Sequence, residues 1–372
     1  MTPSAKPLRV LVAMSGGVDS SLAAALLKEQ GHDVIGVTLH LWDAEGEDKV
    51  GRCCAPEDRD DARRTCDLLG VPHYVLDERE AFRKHVVDPF IAVNLQGRTP
   101  IPCVACNQQV KLTRLWQLAE SLGCERLATG HYARIESDGA GGVHLLRGVD
   151  PDKDQSYFLF GVPQRVLQNL ILPLGGLRKP EAREEAKRLQ LPNWNKPDSQ
   201  ELCFVPDGDV RGFVSRHAGE LGAEAGAGAG REGEIIDETG RVLGKHSGIE
   251  AFTVGQRRGV RVPGTEPRYV LRVIPDSRQV VIGPAHRLAQ HELSAESVCW
   301  TSRAPDAAFA GEVRIRSHHA AAKAEITPTA AGFHVRFREP QNAVAPGQAA
   351  VVYVQDRVIG GGYITDAAVG AV

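Results

Sequence analysis

The sequence predicts an α/β chain: an N-terminal parallel-sheet domain followed by two small β-rich domains, the last barrel-like. Three observations predict it. Apolar strand-like runs alternate with helix-like stretches through the first half, the pattern of a parallel sheet with helices on both faces. A glycine- and alanine-rich run, Ala218 to Gly230, then reads as a flexible insertion. Beyond it come short β-rich runs separated by Gly and Pro. At 372 residues the chain exceeds one ordinary domain, and the divisions expected are 1–212, 213–285 and 286–372.

In chain order, strands are predicted at Leu8–Met14, Asp33–Leu39, His73–Asp77 and Glu125–Thr129. Helices are predicted at Ser20–Gln30, Glu57–Leu69, Arg79–Gln96 and Gln109–Leu122. The first strand runs straight into Ser15-Gly16-Gly17-Val18-Asp19-Ser20-Ser21. Adjacent glycines let backbone amides approach an anion, serines add hydroxyls, and the helix that follows directs its positive dipole end at the same point. The loop lacks the Lys of Walker A and the G-x-G-x-x-G spacing of a dinucleotide fold. It resembles the S-G-G-x-D-S loop of enzymes that split ATP into AMP and pyrophosphate, so the first domain is expected to be adenine-nucleotide-hydrolase-like. Thr129-Gly130-His131 follows the fourth strand and should share the ligand-binding sheet edge. The later β-rich runs are Gly233–Asp237, Tyr269–Ile274, Gln279–Gly283, Glu312–Arg316, Phe333–Phe337 and Ala349–Val354.

Composition narrows the classes. With 42% hydrophobic and 24% charged residues the chain is globular, and no stretch is long and apolar enough to span a bilayer. No signal-peptide core precedes the first strand, so a cytoplasmic protein without a membrane partner is expected. The net charge of −3 hides an uneven distribution. Arg241 to Gln290 holds nine basic and three acidic residues, and Gly311 to Arg338 five and two, whereas Asp43 to Glu80 holds twelve acidic and six basic. A basic face for phosphates is compatible with that pattern, as is ordinary solvated surface.

Eight reduced cysteines in a cytosolic chain point to redox, metal or nucleophilic chemistry more than to structural bridges. Cys103-Val104-Ala105-Cys106 opens a helix, where the dipole favours thiolate, and Cys203 lies far away in a turn-rich segment. A sulfur-transfer pair, an iron–sulfur site on Cys103, Cys106 and Cys203, and a zinc site completed by His131 or water all fit that sequence, and a C-x-x-C can also simply pack. Cys66, Cys124 and Cys299 read as buried apolar fillers, and Cys53-Cys54 has no setting of the C-x-x-C kind.

These segments together resemble the bacterial tRNA-specific 2-thiouridylases over nearly the whole chain. Besides Ser15–Ser20, the matches are Ala62-Arg63-Arg64, Arg98–Asn107, Ala128–Arg134, Asp152–Tyr157, Lys196–Gln200, Cys203-Phe204, Phe252–Gly259 and Pro346-Gly347-Gln348. The resemblance implies ATP-dependent thiolation of the anticodon wobble uridine at C2. ATP would lie against Ala13, Met14, Ser15, Gly16, Gly17, Val18, Asp19, Ser20, Leu39 and Gly130, with Asp19 near Mg²⁺. ATP would adenylate the C2 oxygen, a persulfide on Cys203 would displace AMP, and Cys106 would be the nucleophile that resolves the persulfide.

The resemblance assigns tRNA contacts to Ile101-Pro102-Cys103, to Lys153-Asp154-Gln155 and to Ser317-His318 in the C-terminal domain; a capped turn at Asp154 is the plain alternative. It also implies an outside protein as persulfide carrier. The family commonly has Asn-Pro-Asp or Asn-Pro-Cys at the first of these places, and Tyr-Arg at the last. The Cys in place of Asp permits a [4Fe-4S] cluster on Cys103, Cys106 and Cys203, with its sulfide as donor. An ATP-pyrophosphatase amide ligase acting on a small carbonyl would share the loop but not need the cysteines, whereas a non-catalytic RNA-binding protein would not need the loop.

Overall fold

The computed structural model describes residues 6–43, 56–198, 202–205, 207–221, 230–260, 262 and 266–366. The glycine–alanine core of the insertion (222–229), Cys53-Cys54 and Ser199-Gln200 lie outside the described residues. Among those described, no helix is long and apolar enough to cross a membrane.

The chain forms two compact units that do not follow chain order. The first gathers Met1–Val86, Cys103–Gly208 and Asp356–Val358, and the second Val87–Pro102, Asp209–Gln355 and Ile359–Val372.

The first unit is built on a parallel sheet. Its strands are β1 (Arg9–Ala13), β2 (Asp33–His40), β3 (His73–Asp77), β4 (Arg126–Ala128) and β7 (Leu170–Ile171), in the order β3-β2-β1-β4-β7. Every pair is parallel, as alternating strands and helices require. Helices α1 (Val18–Glu29) and α2 (Pro56–Leu69) pack Ala24, Leu27, Ala62 and Cys66 against Val10, Val12 and Val34 of the sheet. Successor strands of β1 lie on one side (β2, β3) and β4 on the other. The order therefore reverses at β1/β4, which opens a crevice at the carboxyl ends where the Ser15–Ser20 loop sits. A hairpin of β5 (Ala133–Ser137) and β6 (Val143–Arg147) and a helix over Lys179–Arg188 complete the unit; neither was foreseen from the sequence.

Two predicted helices differ in detail. The stretch Arg79–Gln96 is Arg79–Phe82, a π-helical turn Arg83–Val87, and Asp88–Leu95. The stretch before Leu122 opens earlier, with Pro102–Ala105, a π-helical turn Cys106–Lys111, and then Leu112–Ser121. Widened turns of this kind recur at functional sites.

The second unit holds two β cores. Strands β8 (Gly233–Ile236), β9 (Val242–His246), β10 (Tyr269–Ile274) and β11 (Gln279–Gly283) make a four-stranded sheet ordered β10-β11-β8-β9 around Ile235, Val270, Val280 and Ile282. The six remaining strands are β12 (Ala289–Trp300), β13 (Phe309–Arg314), β14 (Ala322–Pro328), β15 (Gly332–Asn342), β16 (Ala349–Val354) and β17 (Arg357–Asp366). They run β12-β15-β14-β13-β16-β17, and β12 pairs back to β17, closing a barrel. Its interior is filled by Leu293, Val313, Ile326, Phe333, Val335, Val352 and Ile364.

Candidate active site

The nucleotide-type loop is held in shape by its own serines. Ser20 Oγ donates to the Gly17 carbonyl at 3.0 Å and accepts from the Ser15 amide at 3.1 Å, with the Ser15 hydroxyl 3.1 Å away. Ser20 is 4% exposed, so its hydroxyl braces the loop. Below it, Met14 donates its amide to the Val37 carbonyl, and Thr38 Oγ1 donates to the Met14 carbonyl at 2.8 Å. Gly16 has φ +76°, and a Cβ there would stand 2.0 Å from the Asp58 carbonyl oxygen. Gly130, after β4, fits as closely: its Cβ would lie 2.6 Å from the Asp19 carbonyl carbon and 2.7 Å from the Ser20 nitrogen. Gly130 thus presses against the start of α1, bringing the two expected nucleotide-contact segments together. Leu39 is buried near the carboxyl end of β2, in register with Leu76 of β3.

Asp19 is the charged residue of the loop. Both its oxygens lie 2.8 Å from Lys179 Nζ, and Oδ1 also accepts from the Tyr132 hydroxyl at 2.8 Å. Burial and the Asp19 carboxylate both push the Tyr132 phenol well above its ordinary pKa. Lys179 Nζ lies 2.8 Å from Asp198 as well, and sits 5.7 Å from the Tyr132 ring centroid. Lys153 and Arg183 complete the cluster, at 2.7 and 3.0 Å from Asp198. Burial alone would raise the Asp198 carboxyl, but the ammonium groups of Lys153 and Lys179 outweigh it and hold it at about 2.

Two further side chains tie the segment before Asp198 to the loop. Asn193 Nδ2 donates to the Gly16 carbonyl and to Ser21 Oγ, each at 2.9 Å. Lys196 Nζ meets Asp58 and Asp61 at 2.6 Å and the Gly16 carbonyl at 3.3 Å. These carboxylates raise the Lys196 pKa against the opposing effect of burial.

Lys179 and Asn193 went unrecognised in the sequence; Tyr132, Lys196 and Asp198 belonged to matched motifs without a role. Lys179 did carry a signal. A lysine at the first position of a helix faces the positive dipole end, which is unfavourable unless carboxylates offset it.

The sequence-assigned tRNA residues divide by environment. Lys153 is half-exposed, its ammonium on Asp198. Asp154 is 8% exposed; its carboxylate accepts from the amides of Gly148 and Ser156 and from the Ser156 hydroxyl, so it shapes the turn. Gln155 accepts the Tyr132 amide on Oε1 and gives its own amide to the Tyr132 carbonyl, which fixes its side chain. His131 is bonded through Nδ1 to Thr129 Oγ1 at 2.8 Å. Burial, helped by Lys111, lowers its pKa to about 3 and keeps it neutral.

In the second unit Ile101 and Pro102 are buried, behind a segment fixed by the barrel. Thr99 donates its amide to the Pro346 carbonyl at 2.8 Å, and Gln348 Nε2 donates to the carbonyls of Thr99 and Pro100 at 3.2 and 3.3 Å. Gly347, at φ +92°, leaves room for that contact, since its Cβ would come within 2.8 Å of the Thr99 oxygen. This explains the Pro346-Gly347-Gln348 motif. Ser317 and His318 follow β13, half-buried and exposed respectively, and the Arg314 guanidinium donates to the Ser317 carbonyl.

The cysteines occupy distinct settings. Cys103 is exposed, and Cys106, which opens the π-helical turn, is 7% exposed. Cys203 is partly exposed, and the neighbouring Phe204 is buried edge-on between Trp42 and Phe82, at centroid distances of 6.5 and 5.7 Å. Among the described residues no three His, Cys, Asp or Glu side chains are grouped to hold a metal. The described placement of Cys103, Cys106 and Cys203 thus lends no support to the alternative of a shared iron–sulfur cluster. Cys66 is fully buried, its thiol pushed up by burial to about 12; Cys124 is buried and Cys299 half-buried, and burial raises both thiols as well. Cys66 and Cys124 are the buried packing cysteines expected, whereas Cys299 is not fully buried.

Comparison with known proteins matches three successive segments of the chain. Residues 8–207 match the family described as tRNA methyl transferase HUP domain, 226–284 its PRC-barrel domain, and 290–364 the aminomethyltransferase β-barrel domain. The chain is 47% identical to the tRNA-specific 2-thiouridylase MnmA of Geobacter metallireducens, covering 98% of each chain. It is 46% identical to that of Solibacter usitatus, covering 95% of this chain and 98% of the other. A solved 4-thiouridine synthetase–RNA complex with bound ATP gives a TM-score of 0.34 at 16% identity, over 60% of this chain and 53% of that one. With relatives this similar over nearly its full length, the chain belongs to the tRNA-specific 2-thiouridylase family.

Proposed function

We propose that this protein is an ATP-dependent tRNA-uridine 2-sulfurtransferase of the cytoplasm that converts the wobble uridine to 2-thiouridine. The observation that carries the reading is the tie between two chemistries. The segment leading to Cys203 is anchored through Asn193, Lys196 and the Asp198–Lys179 pair to the same loop, Gly16 to Ser21, that has the form of an ATP-pyrophosphatase site. An amide ligase has no use for a cysteine five residues beyond that anchor.

In this reading ATP lies along Ala13 to Ser20, Leu39 and Gly130, its phosphates facing loop amides and the N-terminus of α1. Asp19, a hard oxygen donor in the first turn of α1, would be the residue to hold Mg²⁺, which would supply charge neutralisation there. The uridine C2 oxygen attacks the α-phosphorus and pyrophosphate departs, turning a poor leaving group into AMP. The terminal sulfur of a Cys203 persulfide attacks C2, and AMP leaves with the former C2 oxygen. The Cys106 thiolate then attacks Cys203 Sγ, forming a Cys106–Cys203 disulfide and releasing the thiocarbonyl. Near-complete burial at the head of a widened turn protects Cys106 from adventitious oxidants. The tRNA is met by Ile101, Pro102, Cys103, Lys153, Asp154, Gln155, Ser317 and His318, with Asp154 acting by fixing the turn. A separate carrier protein supplies the persulfide, and the domain limits are 1–212, 213–285 and 286–372.

The test is direct. Wild-type protein incubated with ATP, unmodified tRNA and a persulfide donor yields 2-thiouridine, whereas Cys106→Ser and Cys203→Ser do not. Absent product from the wild type, or undiminished product from either variant, overturns the reading.

A further inference from the structure

The cluster around Asp198 links two places that the reaction uses separately. Lys153, the half-exposed tRNA-facing cation, binds Asp198 Oδ2 at 2.7 Å. Asp198 Oδ1 binds Lys179 at 2.8 Å and Arg183 at 3.0 Å. Lys179, with its side chain 9% exposed, divides its remaining donors over both oxygens of Asp19 in the nucleotide loop. The backbone amide of Lys179 is pinned to Asp150, which fixes where the side chain starts. A relay of alternating charge, Lys153–Asp198–Lys179–Asp19, thus runs across the first unit; each inner member is shared between its two neighbours in the relay, and Asp198 also binds Arg183.

Resting on the proposed function, we infer that this relay couples tRNA binding to nucleotide binding, with Asp198 and Lys179 as positioning residues that transmit occupancy of one site to the other. The sign follows from charge. A tRNA phosphate at Lys153 competes with Asp198 for the ammonium. Asp198, less neutralised, draws Lys179 more strongly. Lys179 then holds Asp19 less tightly, and the Asp19 carboxylate becomes available to the cation that accompanies a triphosphate. tRNA therefore tightens binding of the magnesium–nucleotide complex, and the nucleotide tightens binding of tRNA by the same factor, because linkage is reciprocal. A factor of about ten lies within the usual range for coupled sites.

The experiment uses the full chain, a transcribed tRNA substrate, and α,β-methylene-ATP with Mg²⁺, which binds without cleavage at the α–β bond. Calorimetry measures the nucleotide Kd with and without saturating tRNA. In the wild type tRNA lowers it about tenfold. In Asp198→Asn the ratio falls to near one, while each ligand alone still binds. If Asp198→Asn does not fold, Lys153→Gln, at a half-exposed position, serves at saturating tRNA and gives a ratio near one. A wild-type ratio of one with both ligands bound, or an undiminished ratio in a folded variant, overturns the relay alone. Failure of the wild type to bind either ligand overturns the functional reading, and the relay with it.

Discussion

Lys179 places its ammonium 2.8 Å from both carboxylate oxygens of Asp19, across 160 positions of sequence. By local rules Asp19 is well placed, in the first turn of α1 where the dipole favours a carboxylate, whereas Lys179 begins a helix where cations are unfavourable. The pairing offsets the misplacement of the lysine, and Asp198 secures it from the other side.

Removing Lys179 therefore takes the only cation from Asp19 among the ion pairs of this cluster, while Asp198 keeps Lys153 and Arg183. Lys179→Met should destabilise the protein by about 2–3 kcal/mol, below the ~3–5 kcal/mol for fully buried pairs because Asp19 and Asp198 are partly exposed. Urea unfolding measures it. Adding Asp19→Asn to Lys179→Met should recover part of the loss, since the carboxylate left without its cation is then gone; a double variant less stable than the single one contradicts this account.

Two glycines at positive φ offer a controlled comparison. Gly16→Ala forces a Cβ to 2.0 Å from the Asp58 carbonyl, so the loop must move, and nucleotide binding should fall at least tenfold (about 1.4 kcal/mol). Gly31→Ala, with φ +83° and nothing within 4 Å, should cost only the backbone strain of about 1–2 kcal/mol and leave nucleotide affinity intact. Equal affinities for the two variants in calorimetry would contradict the role given to Gly16.

Phe204 anchors the Cys203 segment between Trp42 and Phe82. Truncation to Ala should cost about 3–5 kcal/mol in stability. The milder Phe204→Leu should stay folded and lose thiolation while retaining tRNA-dependent release of pyrophosphate from ATP, since in the proposed reaction the anchored segment carries only the sulfur. Proportional loss of both activities would show that Phe204 supports the whole site.

His131 fixes an acid limit. Its folded pKa of about 3 lies below the unfolded value of about 6.5, so between those values the unfolded chain binds the extra proton and stability falls as pH drops. Burial lowers His73, His246 and His319 as well, and these add to the slope. Asp198, held at about 2, contributes stability that is present above the unfolded carboxylate pKa and lost only as pH falls toward 2. Unfolding measured at about pH 7.5 and about pH 5 should show lower stability at the acid end, and His131→Asn should shrink the difference. An unchanged slope in that variant would place the effect elsewhere.

Much of this was legible in the chain itself. Strand-to-helix alternation, the Ser15–Ser20 loop and the spacing of β-rich runs specify a parallel sheet with a nucleotide loop at its edge, then β domains, because backbone period and glycine geometry are local properties. The strands His73–Asp77, Tyr269–Ile274 and Gln279–Gly283 coincide with the residues expected. The sequence also marked Cys106, Cys203 and the Arg98–Pro102 segment as places of interest.

Only the tertiary structure decided what surrounds them. The π-helical turn that presents Cys106 is a perturbation of a helical pattern with no periodic signature of its own. The docking of Thr99 and Pro100 on Gln348 spans 249 and 248 positions. The Lys153–Asp198–Lys179–Asp19 relay joins residues whose types, taken singly, are ordinary surface charges. Charge pairing acts through space over a few ångströms, and sequence distance carries no trace of it until the sheet has brought those segments together.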